Sequence, residues 1–496
     1  MSATIETSAV GKTVLKCFNP ANGESLGELE VHSIEDVDQS IERLHQAAAE
    51  YNHVPIKERV RVVRKFRKHL ASNLDQIIDS ICTETGKKPS EALVEIFGAL
   101  EIIRFAEKLA PAVLQRQYRS AGTVIHKRAY VEYRPHGVAA LISPWNYPML
   151  LVAAPAAEAL AAGNTVIAKP SEHASLTTLL IKELFDEATG RPELLEVVLG
   201  AVEVGQRLVT SPKTDVVCFT GSTQAGRAIA HDCAENLKPV ILELGGNDPL
   251  IVLEDANLKR AAKSAAWGGF TNAGQTCVSV ERVYVVESVY EEFMHLLREE
   301  CKKLKAGGKA EDAIGAVTVE VQYDKIMNHL EDARNKGALI ETFGTTEGRH
   351  LAPALLTNVD HSMAIMTDET FGPTLGVMAV ASEEEAIEKA NDTRFGLSAY
   401  IFTKSERRAR RVARQLECGA VAFNDVIVQY GMAALPIGGF KDSGLGKFHG
   451  REGLLSFSRE QSVAESRIRL PMELWWYDLG AKTYKALRTF IKWRYS

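Results

Sequence analysis

Hydrophobic residues are patterned in three ways along the chain. Residues 15–31 alternate and are broken by Asn19-Pro20-Ala21-Asn22-Gly23, which predicts a short hairpin. From Ser33 to about Ala112 the spacing is helical: Ile34, Val37, Ile41 and Leu44 form one stripe, and Arg59 to Leu74 turns its basic residues outward. Beyond this layer, short apolar runs alternate with longer helical ones. Strand Gly137–Ser143 leads through Pro144-Trp145-Asn146-Tyr147-Pro148 into an alanine-rich helix. Strand Asn164–Lys169 follows, then a helix, strand Leu195–Leu199 and strand Val216–Phe219, which runs through Thr220–Gly226 into another helix. That alternation predicts the α/β class with a doubly wound parallel sheet. A second alternating block from Asn247 to about Gly444, with Ile314–Val319, Ala364–Phe371 and Gly376–Ala381 as parts of it, predicts a second domain of the same kind.

Two segments stand apart. Thr123–Arg134 alternates but is rich in charge, as expected of an arm used for association. Residues 471–496 carry Trp475, Trp476, Tyr477, Tyr484, Phe490, Trp493 and Tyr495 among Lys482, Lys485, Arg488, Lys492 and Arg494. On a helical wheel Trp476, Tyr477, Tyr484, Leu487, Phe490 and Ile491 share a broad arc, and Lys482, Lys485, Arg488 and Lys492 lie on the other side. Such a helix suits either a membrane surface, as a peripheral contact, or a neighbouring subunit. The expected organisation is therefore a first domain over residues 1–244, interrupted by the arm 118–135, and a second over 245–445. The arm with residues 460–470 would serve oligomerisation, and 471–496 would form an amphipathic tail.

Composition narrows the function classes. A chain of 496 residues has length for two or three cores, and 46% hydrophobic with 25% charged content is ordinary for a globular protein. A formal charge of −6 without a long basic run argues against nucleic acid as partner. Seven scattered cysteines without CxxC spacing fit a reducing compartment rather than a disulfide scaffold, and thirteen dispersed histidines give no metal site. Met1–Lys12 has neither an apolar nor an arginine-rich leader pattern, so a cytoplasmic location is expected. The apolar stretch Gly137–Ala168 is interrupted by Ser143, Pro144, Asn146, Pro148, Pro155, Glu158 and Asn164, and so reads as core rather than a membrane span.

Chemistry concentrates in two places. Gly268-Gly269-Phe270-Thr271-Asn272-Ala273-Gly274-Gln275-Thr276-Cys277 ends a small-residue segment on a cysteine, just before the strand-like Arg282–Val286. A cysteine there is a nucleophile if something holds it as thiolate; alone it would be read as a small buried hydrophobe. Upstream, Leu242-Glu243-Leu244-Gly245-Gly246-Asn247 sets one carboxylate in an apolar strand, a costly placement unless it is paired or kept for reaction. Gly221 to Gly226 is a strand-to-helix turn suited to phosphate, although no GxGxxG fingerprint is present. Glu172, just past a strand end, stands where ribose hydroxyls are held, with Lys169 beside it.

Leu-Glu-Leu-Gly-Gly followed by Gly-Gln-Thr-Cys resembles the aldehyde dehydrogenase superfamily, and the likeness runs from about residue 15 to 465. The resemblance implies oxidation of an aldehyde with reduction of NAD. Cys277 attacks the carbonyl, the Asn146 amide and the Cys277 N–H receive the oxyanion, and Glu243 activates water to hydrolyse the thioester. It also implies cofactor contacts from Trp145, Lys169, Ser171, Glu172, Gly221, Ser222, Gly226, Leu244, Glu369 and Phe371, and a homodimer or homotetramer. A carboxylate at 172 would repel a 2′-phosphate, which favours NAD over NADP. Glu243 favours release of a free acid over transfer to coenzyme A. A coenzyme-A acylating or non-catalytic member of the same fold is the alternative. Tyr147, Met149, Leu150, Thr276, Val278, Tyr430 and Met432 flank these motifs; their apolar and aromatic character points to a medium- to long-chain or aromatic aldehyde. Arg459 stands where many members carry a glutamate linked to proton exit, which leaves the proton path open.

Overall fold

A computed structural model describes residues 3–7, 13–309, 311–473, 475–477 and 480–496. The fold is α/β, built on two largely parallel sheets. In the first, the strands Val138–Ile142, Thr165–Lys169 and Leu195–Val197 run outward in order. Val216–Thr220 then pairs on the other side of Val138–Ile142, followed by Val240–Glu243. Strand order thus reverses between Val138–Ile142 and Val216–Thr220, and open sheets take ligands beyond the carboxyl ends at such a point. The second sheet places Asp248–Val252 and Val280–Val286 at its centre. Thr374–Val380, Ala354–Thr357 and the antiparallel Leu339–Thr342 lie on one side, Ser398–Phe402 and Ala420–Phe423 on the other. The chain then returns to the first sheet, where Gly444–Leu445 pairs antiparallel with Leu242–Glu243. Sequence pattern alone did not show that return.

Local chemistry sets the ends of these elements. Ser33 and Asp36 form a reciprocal capping box at the start of helix Ile34–Tyr51. The Asn164 carboxamide accepts from the His136 and Gly137 amides and donates to the Ala159 and Phe457 carbonyls. One buried side chain therefore joins the alanine-rich helix Leu150–Ala162 to the entries of two strands. The expected hairpin is present over Thr13–Phe18 and Ser25–Glu30, with Thr4–Thr7 added as a third strand.

Two runs named in the second alternating block are not strands. Ala364–Thr367 is a single helical turn, and the amides of Thr370 and Phe371 donate to the Glu281 carboxylate instead of to a neighbouring strand. Across Ile314–Val319 the amides of Ala316, Val317 and Thr318 go to the Gly86 carbonyl, the Arg349 carbonyl and the Gln275 side chain. Backbone donors spent on loops and side chains cannot build a ladder.

Gln115–Tyr133 and Glu460–Ser496 form a separate compact unit. Its small sheet orders the strands Ser458–Ser466, Lys127–Pro135 and Gln117–Arg119. Glu473 accepts from His126 at 2.7 Å and also binds Lys127. Helix Ala481–Tyr495 buries none of its residues, so both its aromatic and basic arcs are open. Of the expected tail, residues 474, 478 and 479 lie outside the described residues. Among the described residues no helix is long and apolar enough to cross a membrane.

In the second sheet Arg282 is fully buried and donates to the carbonyls of Asn247, Lys389 and Ala390 and to the Tyr284 hydroxyl. Arg282→Met strands those acceptors. Chemical denaturation should show a loss of about 3 kcal/mol or more, since a bond to a charged donor contributes about 1.5–3 kcal/mol.

Candidate active site

The cysteine segment is held in a strained shape. After helix Leu258–Phe270, Asn272 (φ 52), Ala273 (φ 54) and Gly274 (φ 74) are successive left-handed residues, a conformation unfavourable for alanine. Gly274 is required there, because a Cβ would lie 2.0 Å from the Gly372 carbonyl oxygen. Surrounding bonds fix the shape. The Asn272 amide donates to Glu91, and its carboxamide donates to the carbonyls of Asn146 and Gln275. The Gln275 side chain donates to the carbonyls of Asn272 and Ala316.

Cys277 at the end of this segment is half-buried and free. Gly246 brings the Leu-Glu-Leu-Gly-Gly segment against it: a Cβ at 246 would sit 2.3 Å from the Cys277 carbonyl oxygen. Glu243 does not line the cavity into which Cys277 opens, although its charge acts on the thiol. Both its oxygens are buried without a hydrogen-bond partner. Burial pushes its carboxyl up to about 8, against the opposing pull of Lys447. Burial, then the charges of Glu243 and Asp248, raise the Cys277 thiol well above its ordinary value; a bond from the Tyr430 hydroxyl works the other way. At neutral pH the resting pair is therefore a thiol and a mostly protonated carboxyl.

Asn146 stands on the opposite strand end. Its Nδ2 donates to the Gln275 carbonyl at 3.0 Å, leaving a second amide proton, while its Oδ1 is buried and unpartnered. Its backbone carbonyl accepts from Lys87 at 2.8 Å. Lys87 also pairs with Glu95 at 2.5 Å, with both side chains wholly buried, and lies over the Tyr147 ring. Glu95 in turn accepts from the Met149 and Leu150 amides. Met149 is consequently turned into the core and, contrary to expectation, does not line the cavity. Tyr147, Leu150, Thr276, Val278, Tyr430 and Met432 do line it, together with Cys277, and it encloses about 580 Å³.

The expected cofactor residues fall into three groups. At the reversal point, Ser222 caps helix Thr223–Glu235, the Gly221 amide donates to the Glu243 carbonyl, and bare Gly226 makes room for the Leu244 side chain. Near the second sheet, Trp145 and Phe371 meet edge to face with ring centres 5.8 Å apart. The Glu369 carboxylate accepts from the Gly246 amide at 2.9 Å, and burial, then Glu281, pushes it up to about 7. Lys169, Ser171 and Glu172 lie at the next strand end of the first sheet. There the Lys169 ammonium donates to the Pro170 carbonyl and burial lowers its pKa, whereas Glu172 stays partly exposed, 3.8 Å from His173. A strand-to-helix turn beyond the reversal, an accessible carboxylate beside a lysine and an aromatic pair near the cysteine together fit a dinucleotide.

Several residues of the site were not foreseen. Glu281 receives the Thr370 and Phe371 amides and the Asn247 carboxamide, so it sets the turn that carries Glu369. Like Glu243, Glu281 is one carboxylate in an apolar strand, Val280–Val286, and that placement is its signal in the sequence. The Lys87–Glu95 pair gave no such signal, because helical periodicity hides which polar residues turn inward.

The sequence pattern described as "Aldehyde dehydrogenase family" matches residues 6–463. The chain belongs to this family. The dehydrogenase is 39% identical over 486 residues to a 4,4'-diapolycopene aldehyde oxidase of Methylomonas sp, covering 97% of this chain and 92% of the other. A succinate-semialdehyde dehydrogenase (NADP(+)) of Escherichia coli is 35% identical over 445 residues, 88% of this chain and 91% of that one. The crystal structure of betaine aldehyde dehydrogenase from Staphylococcus aureus in complex with NAD+ superposes on this aldehyde dehydrogenase with a TM-score of 0.88 at 29% identity. That match covers 95% of each chain.

Because Gly246 lets two backbones touch, Gly246→Ala should separate the glutamate segment from the cysteine segment. Thermal melting should report a loss of about 1–3 kcal/mol, typical of overpacking, with a larger proportional loss of aldehyde oxidation.

Proposed function

We propose that this aldehyde dehydrogenase converts an apolar, medium- to long-chain or aromatic aldehyde into the free acid, with Cys277 as nucleophile, Glu243 as base and Asn146 as oxyanion donor. The observation that carries the reading is Cys277 opening into an apolar cavity while the charge of the buried Glu243 carboxyl acts on its thiol. Cys277 gives its thiol proton to water in the cavity it lines, and the sulfur attacks the carbonyl carbon. The free Asn146 amide proton and the Cys277 N–H then receive the oxyanion. Nicotinamide dinucleotide, when bound, supplies the hydride acceptor. Trp145, Gly221, Ser222, Gly226, Leu244, Glu369 and Phe371 would hold its pyrophosphate and nicotinamide end, and Lys169, Ser171 and Glu172 its adenosine ribose. Glu243 afterwards takes a proton from the water that hydrolyses the thioester. In this assignment the first sheet is the cofactor domain, the second the catalytic domain, and the arm 118–135 with residues 460–470 joins copies of the chain.

Charge supports the substrate class. Among the described residues, the acidic side chains lining the cavity are Glu91, Glu95 and Asp425, and no lysine or arginine lines it. Glu95 is matched by Lys87 and Asp425 by Arg260. A substrate carboxylate would find no cation and would meet Glu91, so the lining sides with the relative named for 4,4'-diapolycopene aldehyde over the one named for succinate semialdehyde. NAD is preferred over NADP because Glu172 would repel a 2′-phosphate.

Two measurements test this. Glu243 carries a raised acid pKa, so its base form appears only as pH rises. Turnover limited by thioester hydrolysis should climb through about pH 8. Glu243→Gln should lose that limb and at least about 100-fold in hydrolysis while keeping its first-turnover NADH burst, and Cys277→Ala should lose both. In a panel of hexanal, decanal and succinate semialdehyde, KM should fall with chain length, by up to about fourfold per methylene at about 0.8 kcal/mol each. Succinate semialdehyde should be the poorest substrate, and Glu172→Ser should improve use of NADP. Preference for succinate semialdehyde, or product accumulating only with coenzyme A, would refute the assignment.

A further inference from the structure

A base that collects a proton in every turnover must pass it on, yet neither oxygen of Glu243 has a hydrogen-bond partner. The Arg459 guanidinium offers no route: it donates to the His136 carbonyl at 2.8 Å and to that of Pro135. The same wall of the first sheet holds a second buried carboxylate. Glu158, on helix Leu150–Ala162, has a side chain 2% exposed, and its Oε2 has no partner. Its Oε1 lies 3.8 Å from Nδ1 of His449, a ring nitrogen that is also buried and unpartnered.

Glu158 and Glu243 are close enough to one thiol, Cys218, for both charges to act on it. Cys218 pairs in register with Ile241, so Cys218, Ile241 and Glu243 emerge on one face of the sheet. From the other side, the His449 ring packs edge-on against Tyr430 at 5.8 Å, and the Tyr430 hydroxyl bonds to Cys277. Cys218, Tyr430, Glu243 and Lys447 are titratable groups that bear on this line from the packed elements. Buried polar atoms without partners are places for bound water, and 3.8 Å is a separation that water or a small side-chain shift closes.

We propose that Glu158 and His449 relay the proton that Glu243 removes from the hydrolytic water. The step rests on Glu243 as base. Water gives one proton to the Glu243 carboxylate while its oxygen bonds to the acyl carbon. The carbon–sulfur bond then breaks with its electron pair on Cys277, yielding acid, thiolate and protonated Glu243. Through intervening water, Glu158 takes that proton and hands it to His449, which releases it to solvent water, so that Glu243, Glu158 and His449 all return to their starting forms. Glu158 and His449 touch neither substrate nor cofactor and act only through Glu243.

The test uses the full-length enzyme with Glu158→Gln and, separately, His449→Gln, followed by stopped-flow NADH formation with decanal. Both variants should keep the first-turnover burst and lose about tenfold in steady-state turnover, less than the 100-fold or more expected on losing the base itself. The alkaline limb of turnover against pH should shift in each, and added imidazole should restore turnover. Glu243→Gln should not respond to imidazole. Unchanged turnover and pH profile in both variants overturns the relay. So does a parallel fall of burst, turnover and melting temperature without imidazole rescue, which marks a structural role. If Glu243→Gln itself hydrolyses normally, the fault lies with Glu243 as base, an outcome distinct from these.

Discussion

The site depends on an approach between two backbones that no side chain obstructs. Gly246 lies against the Cys277 carbonyl with no room for a methyl group between them. Its amide at the same time donates to Glu369. One residue therefore ties the end of the first sheet to the cysteine segment and to the turn bearing Glu369. Packed interiors resist shifts of even a few tenths of an ångström, so the relative placement of these three segments is rigid.

Electrostatics follow from that closure. Pressing the segments together removes water from Glu243, Cys277, Glu369 and Asp248, and burial is the first cause of each raised pKa. The resting site is consequently close to neutral, with few charges left to repel one another. Ionising any of these groups makes ionising the next harder.

Much of this was legible in sequence. Alternating runs gave the two sheets, since buried parallel strands are continuous apolar segments. Cys277 and Glu243 could be paired by motif, and the structure brings their segments into contact. What pattern could not show were the features that depend on side chains replacing ladder bonds. Glu281 captures the amides that would have made Ala364–Phe371 a strand, and Gln275 does the same for Thr318. The return of Gly444–Leu445 was hidden because two residues are too few to carry a period. Met149 differs from expectation because neighbours along a turn point in opposite directions: Met149 is wholly buried, whereas Leu150 lines the cavity.

The Lys87–Glu95 pair ties the helical layer to the chemistry. Its ammonium holds the Asn146 carbonyl and its carboxylate holds the first amides of the next helix, all out of contact with water. A lone buried ion costs several kcal/mol, so neither partner survives without the other. Residues 87–95 are thus inseparable from the residues around the cysteine. Shortening the protein to its two sheets would expose one half of that pairing and release the Asn146 segment, however intact the sheets themselves remained.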